Sequence, residues 1–455
     1  MNYFISDILK RIKRPVEVQD DKEYKLVTIK LYHKGVVLRE IKKGALIGSK
    51  KMFRVHKGDF ILSGIDARNG AFGIVPDDLD GAIVTNDFWY FEVDENIITK
   101  ELFLQLTQTT WFDDICRKGS DGTTQRIRLQ KDKFFNQEIT LPTPSLQTEM
   151  LQRITTVKEL KSNLDIHGDN QTCWLAELKR AVLREAIEGK LTKDWRSKNV
   201  FQKRNPKYDV LCLIENIKKL QEEWIVEEKK KNNPEAKTIE RKRNKKVNID
   251  ISKVSCPTTW GIYRLIDVVN LIVDCHNKTA PYIKEGIQIL RTTNIKNMVI
   301  NYDEPKYISN ETYLYWSRRC PPQSGDLIYT REAPVGEAAI IPEGDNICLG
   351  QRLMLIRPFH QFFSAKYLLY AIYEPNFLAR LSDNQKGAFV KHLRVGDVEN
   401  ALIPVPPLGE QLEIVQKVDK LLLMIDEFEK QVLNRNEQSE VLMKTVLHEA
   451  FEGGE

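Results

Sequence analysis

No C-x-x-C pair occurs in this 455-residue chain, and its seven cysteines (Cys116, Cys173, Cys212, Cys256, Cys275, Cys320 and Cys348) are odd in number and scattered. That pattern excludes a disulfide framework and suits reduced thiols in a cytoplasm. The seven histidines show no H-x-x-x-H or H-E-x-x-H spacing. Cys275 and His276 are adjacent, but two side chains fall short of the four ligands of a structural zinc site. No apolar run approaches the ~20 residues of a membrane span. The opening stretch, MNYFISDILKRIKR, is too polar for a secretory signal and reads as the start of a folded domain. There is no G-x-x-x-x-G-K-[ST] loop to cradle nucleotide phosphates and no G-x-G-x-x-G after a strand. A D/N-P-P-Y/F quartet with a Gly-rich cofactor turn is also missing, as is a nuclease-like Pro-Asp…Glu-x-Lys arrangement. Asp113-Asp114 and Asp77-Asp78 read as exposed carboxylates. The chain is therefore expected to bind, not to catalyse.

What is present is a mixture suited to large cores: 42% hydrophobic and 29% charged residues, with a length implying about three domains at ~150 residues each. Net charge is only +5, but nine basic residues fall between Lys229 and Lys246 against Glu235 and Glu240. That run reads as a solvated helix end and linker at least as readily as a nucleic-acid contact.

The dominant feature is an internal repeat. VLREAIEG at 182–189 returns as VLHEAFEG at 446–453, 264 residues on. YFISDIL (3–9) resembles YRLIDVV (263–269), KGDFIL (57–62) SGDLIY (324–329), and GAFGIVP (70–76) GEAAIIP (336–342). GTTQRIRL (122–129) sits opposite GAFVKHLRV (387–395). LPTPSL (141–146) faces IPVPPL (403–408) at an offset of 262, and the helical stripe that follows matches at 261, so a one-residue indel is expected between them. Chance similarity would not keep this order; the chain is a tandem duplication.

Each half reads as a strand-and-turn region followed by helix. Expected helices at 100–117 and 363–381 punctuate the strands. Apolar residues at Leu146, Met150, Ile154, Val157, Leu160 and Leu164, and at Val415, Val418, Leu422, Ile425, Phe428 and Val432, form narrow stripes that favour helix against helix. HGDN (167–170) is expected to break the first helix, a second running 172–188, and NRNEQ (434–438) to interrupt the other copy more weakly. Gly189 and Gly453 stand where a terminating glycine belongs. The fold class is α+β: two tandem α+β domains at 1–145 and 259–407, separated by long antiparallel coiled-coil-like helices at 146–199 and 408–455, with pseudo-two-fold repetition. Between the halves, 200–258 is expected to carry a helix at 208–231 and a basic linker, with a mobile tract at 234–256.

Polar turn residues recur at matching places in the two halves while their letters differ. In the first half they are Arg68 and Asn69, beside Asp66, then Ser120, Thr123, Thr124, Gln125 and Arg126. In the second they are Arg331, Gln351, Arg352, Gln385, Lys386 and Lys391. Arg pairs with guanine and Asn or Gln with adenine, while Lys and Ser/Thr serve phosphates; an ordinary solvated turn is the alternative for each. Val182, Leu183, Ala186 and Ile187, like Val446, Leu447, Ala450 and Phe451, supply packing faces. Leu183, Ile187, Leu447 and Phe451 are taken as two equivalent seats for a partner.

These blocks together resemble the specificity subunit of type I restriction–modification systems. The resemblance is carried by LPTPSLQTEM, IPVPPLGEQLEIVQKVDKL, VLREAIEGKLTKDWR, VLHEAFEG, GIDARNGAFGIVP, REAPVGEAAIIP and CPTTWGIYRLIDVV, and spans all but about 200–258. It implies a non-catalytic, cytoplasmic subunit whose two target recognition domains each read half of a split double-stranded DNA sequence. Its helices would dock two methyltransferase subunits, which bring S-adenosylmethionine, and restriction motor-nuclease subunits, which bring ATP and Mg; no cofactor is expected in this chain. A helix at 146–166 would span ~31 Å, close to the ~34 Å of one DNA turn, suggesting a ruler. TPSLQTEM lacks the Glu-Gln of the second copy, so contacts of Glu410 and Gln411 are not expected in the first. The other readings are an adaptor whose heads bind protein, and a specificity subunit of a methylation-only system.

Overall fold

The computed structural model describes residues 1–108, 110–121, 127–199, 202–247, 250–382 and 392–452, at 110, 234, 444 and 447–452 for the backbone alone. Two compact units emerge: residues 1–170 with 432–455, and residues 171–431.

Both units repeat one strand plan. The first has a four-stranded antiparallel sheet in the order 9–12, 88–93, 60–63, 72–74; the second has 269–274, 353–358, 327–330, 338–340. A short strand pair closes each: Tyr3 opposite Ile139, and Tyr263 opposite Ile403. Each also has parallel strand contact, Leu26 beside Ile83 in the first and Ile287–Leu290 beside Ile347–Leu349 in the second. The matched Gly-Asp blocks are turns. Gly58 and Gly325 take left-handed φ of 79° and 85°, and Asp59 and Asp326 each accept a backbone N–H from three residues back, at 2.8 Å. Both carboxylates are buried and each holds an arginine, Arg14 at 2.6 Å and Arg357 at 2.7 Å. The two arginines come from different places: Arg14 lies between strands 9–12 and 15–17, and Arg357 within strand 353–358.

The closing strands correct the repeat register. Ile139 matches Ile403, so Pro142 matches Pro406 and Gln147 matches Gln411, an offset of 264 that runs unbroken to the glycine at 189. No indel is needed. The buried Gln147 and Gln411 both donate to a proline carbonyl five residues back at 3.0 Å. The glutamine contact therefore is shared, contrary to expectation, and only Glu410 is replaced, by Leu146. Met150 and Ile154 bury on the first domain's core, Ile414 and Val418 on the second's. Each helix start thus packs on its own domain before meeting a helix.

The central helix runs Pro144–Ile187 and the C-terminal helix Leu408–Glu452, neither interrupted. HGDN does not break the first, and the ruler ending at 166 falls with that. A Cβ at Gly168 would lie 2.9 Å from the Asn436 side chain. Both expected interruptions therefore face each other in one close helix–helix approach, where glycine serves proximity. In the other unit Lys179 meets Asp426 and Glu429 at 2.8 Å each. Leu160, Leu164, Trp174 and Leu178 remain exposed, as do Leu423, Met424 and Phe428. Each expected helix at 100–117 and 363–381 is two, Lys100–Leu106 with Thr110–Lys118 and Ala365–Tyr373 with Pro375–Ser382; Pro375 starts the last because a helix's first turn needs no N–H there.

The insert folds onto the second domain. Asp209 caps helix Val210–Lys230, and a second helix, Pro234–Arg243, replaces the expected mobile tract. Arg243 donates to the carbonyls of Ile266, Val269 and Asn270 at 3.3, 3.0 and 2.7 Å. Burial pulls its guanidinium down to about 10, still charged at neutral pH. Lys229 pairs with Glu240 at 2.6 Å and Lys242 with Glu399 at 2.5 Å. Much of the basic run is thus structural. Among the described residues no helix is long and apolar enough to cross a membrane.

Candidate nucleic-acid interface

The sequence-predicted reading turns connect matched strands. Ala67–Asn69 form a single helical turn ended by Gly70 at φ 72°. Asn69 is exposed and Arg68 half-buried, its Nε unpartnered among the described residues. Ser120 donates its hydroxyl to Cys116 O at 2.6 Å, closing the end of the 110–118 helix. Thr123, Thr124, Gln125 and Arg126 lie outside the described residues, as do Gln385, Lys386 and Lys391.

Arg331 differs from the expected solvated turn. It is only 6% exposed, with its guanidinium 3.5 Å from both Leu393 O and Asp274. It is buried and braces the strand ends. Its neighbour Glu332 gathers Arg352, at 2.9 Å, and His392. Arg352 is exposed and holds φ 70°, while Gln351 is half-buried. The second domain therefore presents a charged loop cluster of 332, 352 and 392 around a buried brace.

Sequence reasoning missed two hairpin tips. Tyr32 and His33 take φ of 58° and 57°, Asn297 and Met298 φ of 50° and 67°. Type I′ geometry with φ > 0 at both central residues normally calls for Asn-Gly or Asp-Gly, so neither Tyr-His nor Asn-Met signals it. Tyr32 N donates to Asn69 O at 2.9 Å and His33 N to Gly70 O at 3.0 Å, binding the tip to the Arg68–Asn69 turn. His33 Nε2 lies 3.0 Å from Asp113, so that acid is not free.

Leu183 and Ile187 are not an open seat. They are 5% and 3% exposed, within a core shared with Val210, Leu213, Ile217, Trp260, Ile414 and Val418. The insert covers what the sequence read as a partner face; the side chains of Leu447 and Phe451 lie outside the described residues. Three motifs read as separate converge nearby on Glu410, which is 1% exposed. It accepts from Thr192 at 2.7 Å, from Trp260 Nε1 at 2.8 Å, and from Arg196, which also reaches Gly189 O at 2.5 Å. LTKDWR, CPTTW and PPLGEQ are one buried joint.

No group of three metal-ligating side chains gathers among the described residues. Burial pushes the Cys320 and Cys348 thiols up to about 11 and also raises those of Cys116 and Cys275, which keeps them protonated and poorly nucleophilic.

The family model described as "Type I restriction modification DNA specificity domain" matches residues 2–167 and 257–438. The chain is 28% identical over 212 residues to the Escherichia coli "Type I restriction enzyme EcoBI specificity subunit", covering 46% of this chain and 44% of that relative. With the Escherichia coli "Type I restriction enzyme EcoDI specificity subunit" it shares 23% identity over 362 residues, 79% of this chain and 71% of the relative. The first of these matches spans less than half of its relative's length. In fold, the "HsdS subunit from Thermoanaerobacter tengcongensis" is similar with TM-score 0.50 and 17% identity, covering 100% of this chain and 96% of that one. A solved chain described under "Structural basis underlying complex assembly and conformational transition of the type I R-M system" gives TM-score 0.58 and 16% identity, covering 99% and 97%. Two matched stretches in one duplicated chain, each coinciding with a copy of the same strand plan, place it plainly: it belongs to the type I restriction modification DNA specificity domain family.

Proposed function

We propose that this chain is the non-catalytic, cytoplasmic DNA-specificity subunit of a type I restriction–modification complex, reading the two halves of a split, asymmetric duplex target. One observation carries the reading. Two copies of one scaffold keep their strand order, their Gly-Asp turns and their buried glutamines, while the residues on their exposed turns differ. Two different half-sites require that combination of a fixed frame and divergent surface. Phosphate contacts would supply affinity and base edges the selectivity.

Methyltransferase subunits, carrying S-adenosylmethionine, would dock on the helices, and restriction subunits with ATP and Mg would join them. Trp174, 68% exposed, and Leu178, 47% exposed, one turn apart on the central helix, are better candidates for that seat than Leu183 and Ile187. Methylome sequencing of a host carrying the chain with its methyltransferase tests the reading. A two-part, asymmetric motif methylated at adenine is expected; a contiguous palindrome overturns it. Binding of the complex to its site should also weaken steeply with salt.

A further inference from the structure

The two hairpin tips are the same device made twice. The first joins Glu23–Ile29 to Val36–Lys43; the second joins Ile295–Lys296 to Val299–Ile300, with Lys296 opposite Val299. The tips lie 265 residues apart, in step with the rest of the duplication. Both rest on the equivalent strand of their own domain. The His33 ring sits 5.1 Å from Phe72. Met298 bridges to Ala339, one residue past the counterpart of Phe72, and its N–H donates to Tyr373 OH at 2.9 Å. In each pair the second residue turns inward and the first stays exposed: Tyr32 is 74% exposed and Asn297 is exposed too. Each first residue has its backbone N–H tied to the neighbouring turn, Tyr32 to Asn69 O and Asn297 to the Glu337 carboxylate at 2.7 Å.

Two features mark these tips as more than connectors. Four non-glycine residues hold a left-handed backbone that disfavours Tyr, His and Met, and both copies retain it although all four letters differ. Strain that persists is characteristic of positions under functional constraint. Second, the side chains so presented are unspent: the Tyr32 hydroxyl and the Asn297 amide make no hydrogen bond among the described residues. Positive charge stands beside the first and mixed charge beside the second. Lys30 and Lys34 are exposed around Tyr32. Asn297 borders a groove of about 840 Å³ lined by Lys179, Arg180 and Arg184 together with Glu177, Asp426 and Glu429. A rigid tip loses little freedom on binding, and an asparagine amide matches the adenine N6/N7 edge in two hydrogen bonds.

We propose that the paired hairpin tips are base-reading fingers, Tyr32 for one half-site and Asn297 for the other, with the inward residue fixing the finger and, at the first tip, Lys30 and Lys34 holding phosphates. This rests on the two-half-site reading above, and deepens it by assigning one specificity-determining residue to each half. The test is the methylome directed by the chain with its methyltransferase, for wild type, Tyr32→Ala and Asn297→Ala. Each variant should lose about tenfold discrimination at one base of one half, leaving the other half unchanged, and the two should affect opposite halves. Tyr32→Asn and Asn297→Gly, which suit the left-handed backbone, guard against misfolding and should shift base preference in the same places. An unchanged motif in these variants overturns the proposal. Uniform loss of methylation with unchanged thermal stability also overturns it, since that marks an anchoring role without base reading. If the wild-type chain directs no split motif, the underlying reading fails first.

Discussion

The first recognition domain fills its core with phenylalanine, the second with aliphatics and tyrosine, on one strand order. Phe60, Phe72, Phe103 and Phe112 form an edge-to-face cluster, with Phe60–Phe103 and Phe72–Phe112 centroids 5.0 Å apart. The matched residues are Leu327, Ala338, Leu368 and Phe377, all buried. The helix caps Thr99 and Ser364, each accepting an N–H three residues on, fix that match along the helices. The volume lost at Ala338 is recovered by tyrosines whose hydroxyls need partners: Tyr373 donates to Glu337 at 2.5 Å and Tyr367 to Pro404 O at 2.8 Å. The alternation of apolar positions therefore specifies the sheet, while the packing solution inside it is free to diverge. Divergence in the core can proceed without moving the strand ends that carry the exposed turns.

Paired substitutions can break or sharpen that comparison. The largest effect is expected from Phe112→Ala, at about 3–5 kcal/mol for a fully buried ring. Phe377→Ala should cost about 1 kcal/mol less, because it removes no ring-to-ring pairing. Urea unfolding followed by hydrogen exchange in each domain separates the two, and equal losses would show that the ring cluster adds nothing beyond burial.

Next comes the buried joint. Glu410→Leu, which installs the letter found at the matched Leu146, should destabilise the second unit by about 3 kcal/mol, since it strands the Arg196 guanidinium. The reciprocal Leu146→Glu, at a position 41% exposed, should stay within about 0.5 kcal/mol. A mild Glu410→Leu would mean that Gly189 O and Thr192 suffice to hold Arg196. Smallest is the glycine pair behind the hairpin tips. At Gly70, φ 72°, a Cβ would lie 2.6 Å from the His33 ring; at Gly336, φ 90°, its nearest neighbour is Leu378 at 3.3 Å. Gly70→Ala should cost about 2 kcal/mol and Gly336→Ala about 1 kcal/mol, read as shifts in thermal midpoint. Gly70→Ala should in addition disturb the Tyr32 finger.

How far the sequence reaches can be judged residue by residue. Repetition, the order of strand blocks and the apolar stripes are properties of spacing, and spacing alone separates two α+β domains from long helices. The same spacing misplaced the register by two or three residues, because LPTPSL and IPVPPL share letters at the wrong offset. Only the pairing of Tyr3 with Ile139 and Tyr263 with Ile403 fixes it. HGDN looked like a helix break since glycine and asparagine disfavour helix locally; contact with Asn436 overrides that.

The candidate site divides the same way. That matched turns carry different letters is visible in the duplication itself. Which side chains are free is not: Arg331 is spent as a brace, Leu183 and Ile187 are roofed by the insert, and Tyr32 and Asn297 are lifted clear by a backbone their own propensities oppose. Local chemistry along the chain determined that this protein is duplicated, with two α+β domains and long helices. Burial and strand pairing, which join residues more than a hundred positions apart, decided what each domain leaves exposed.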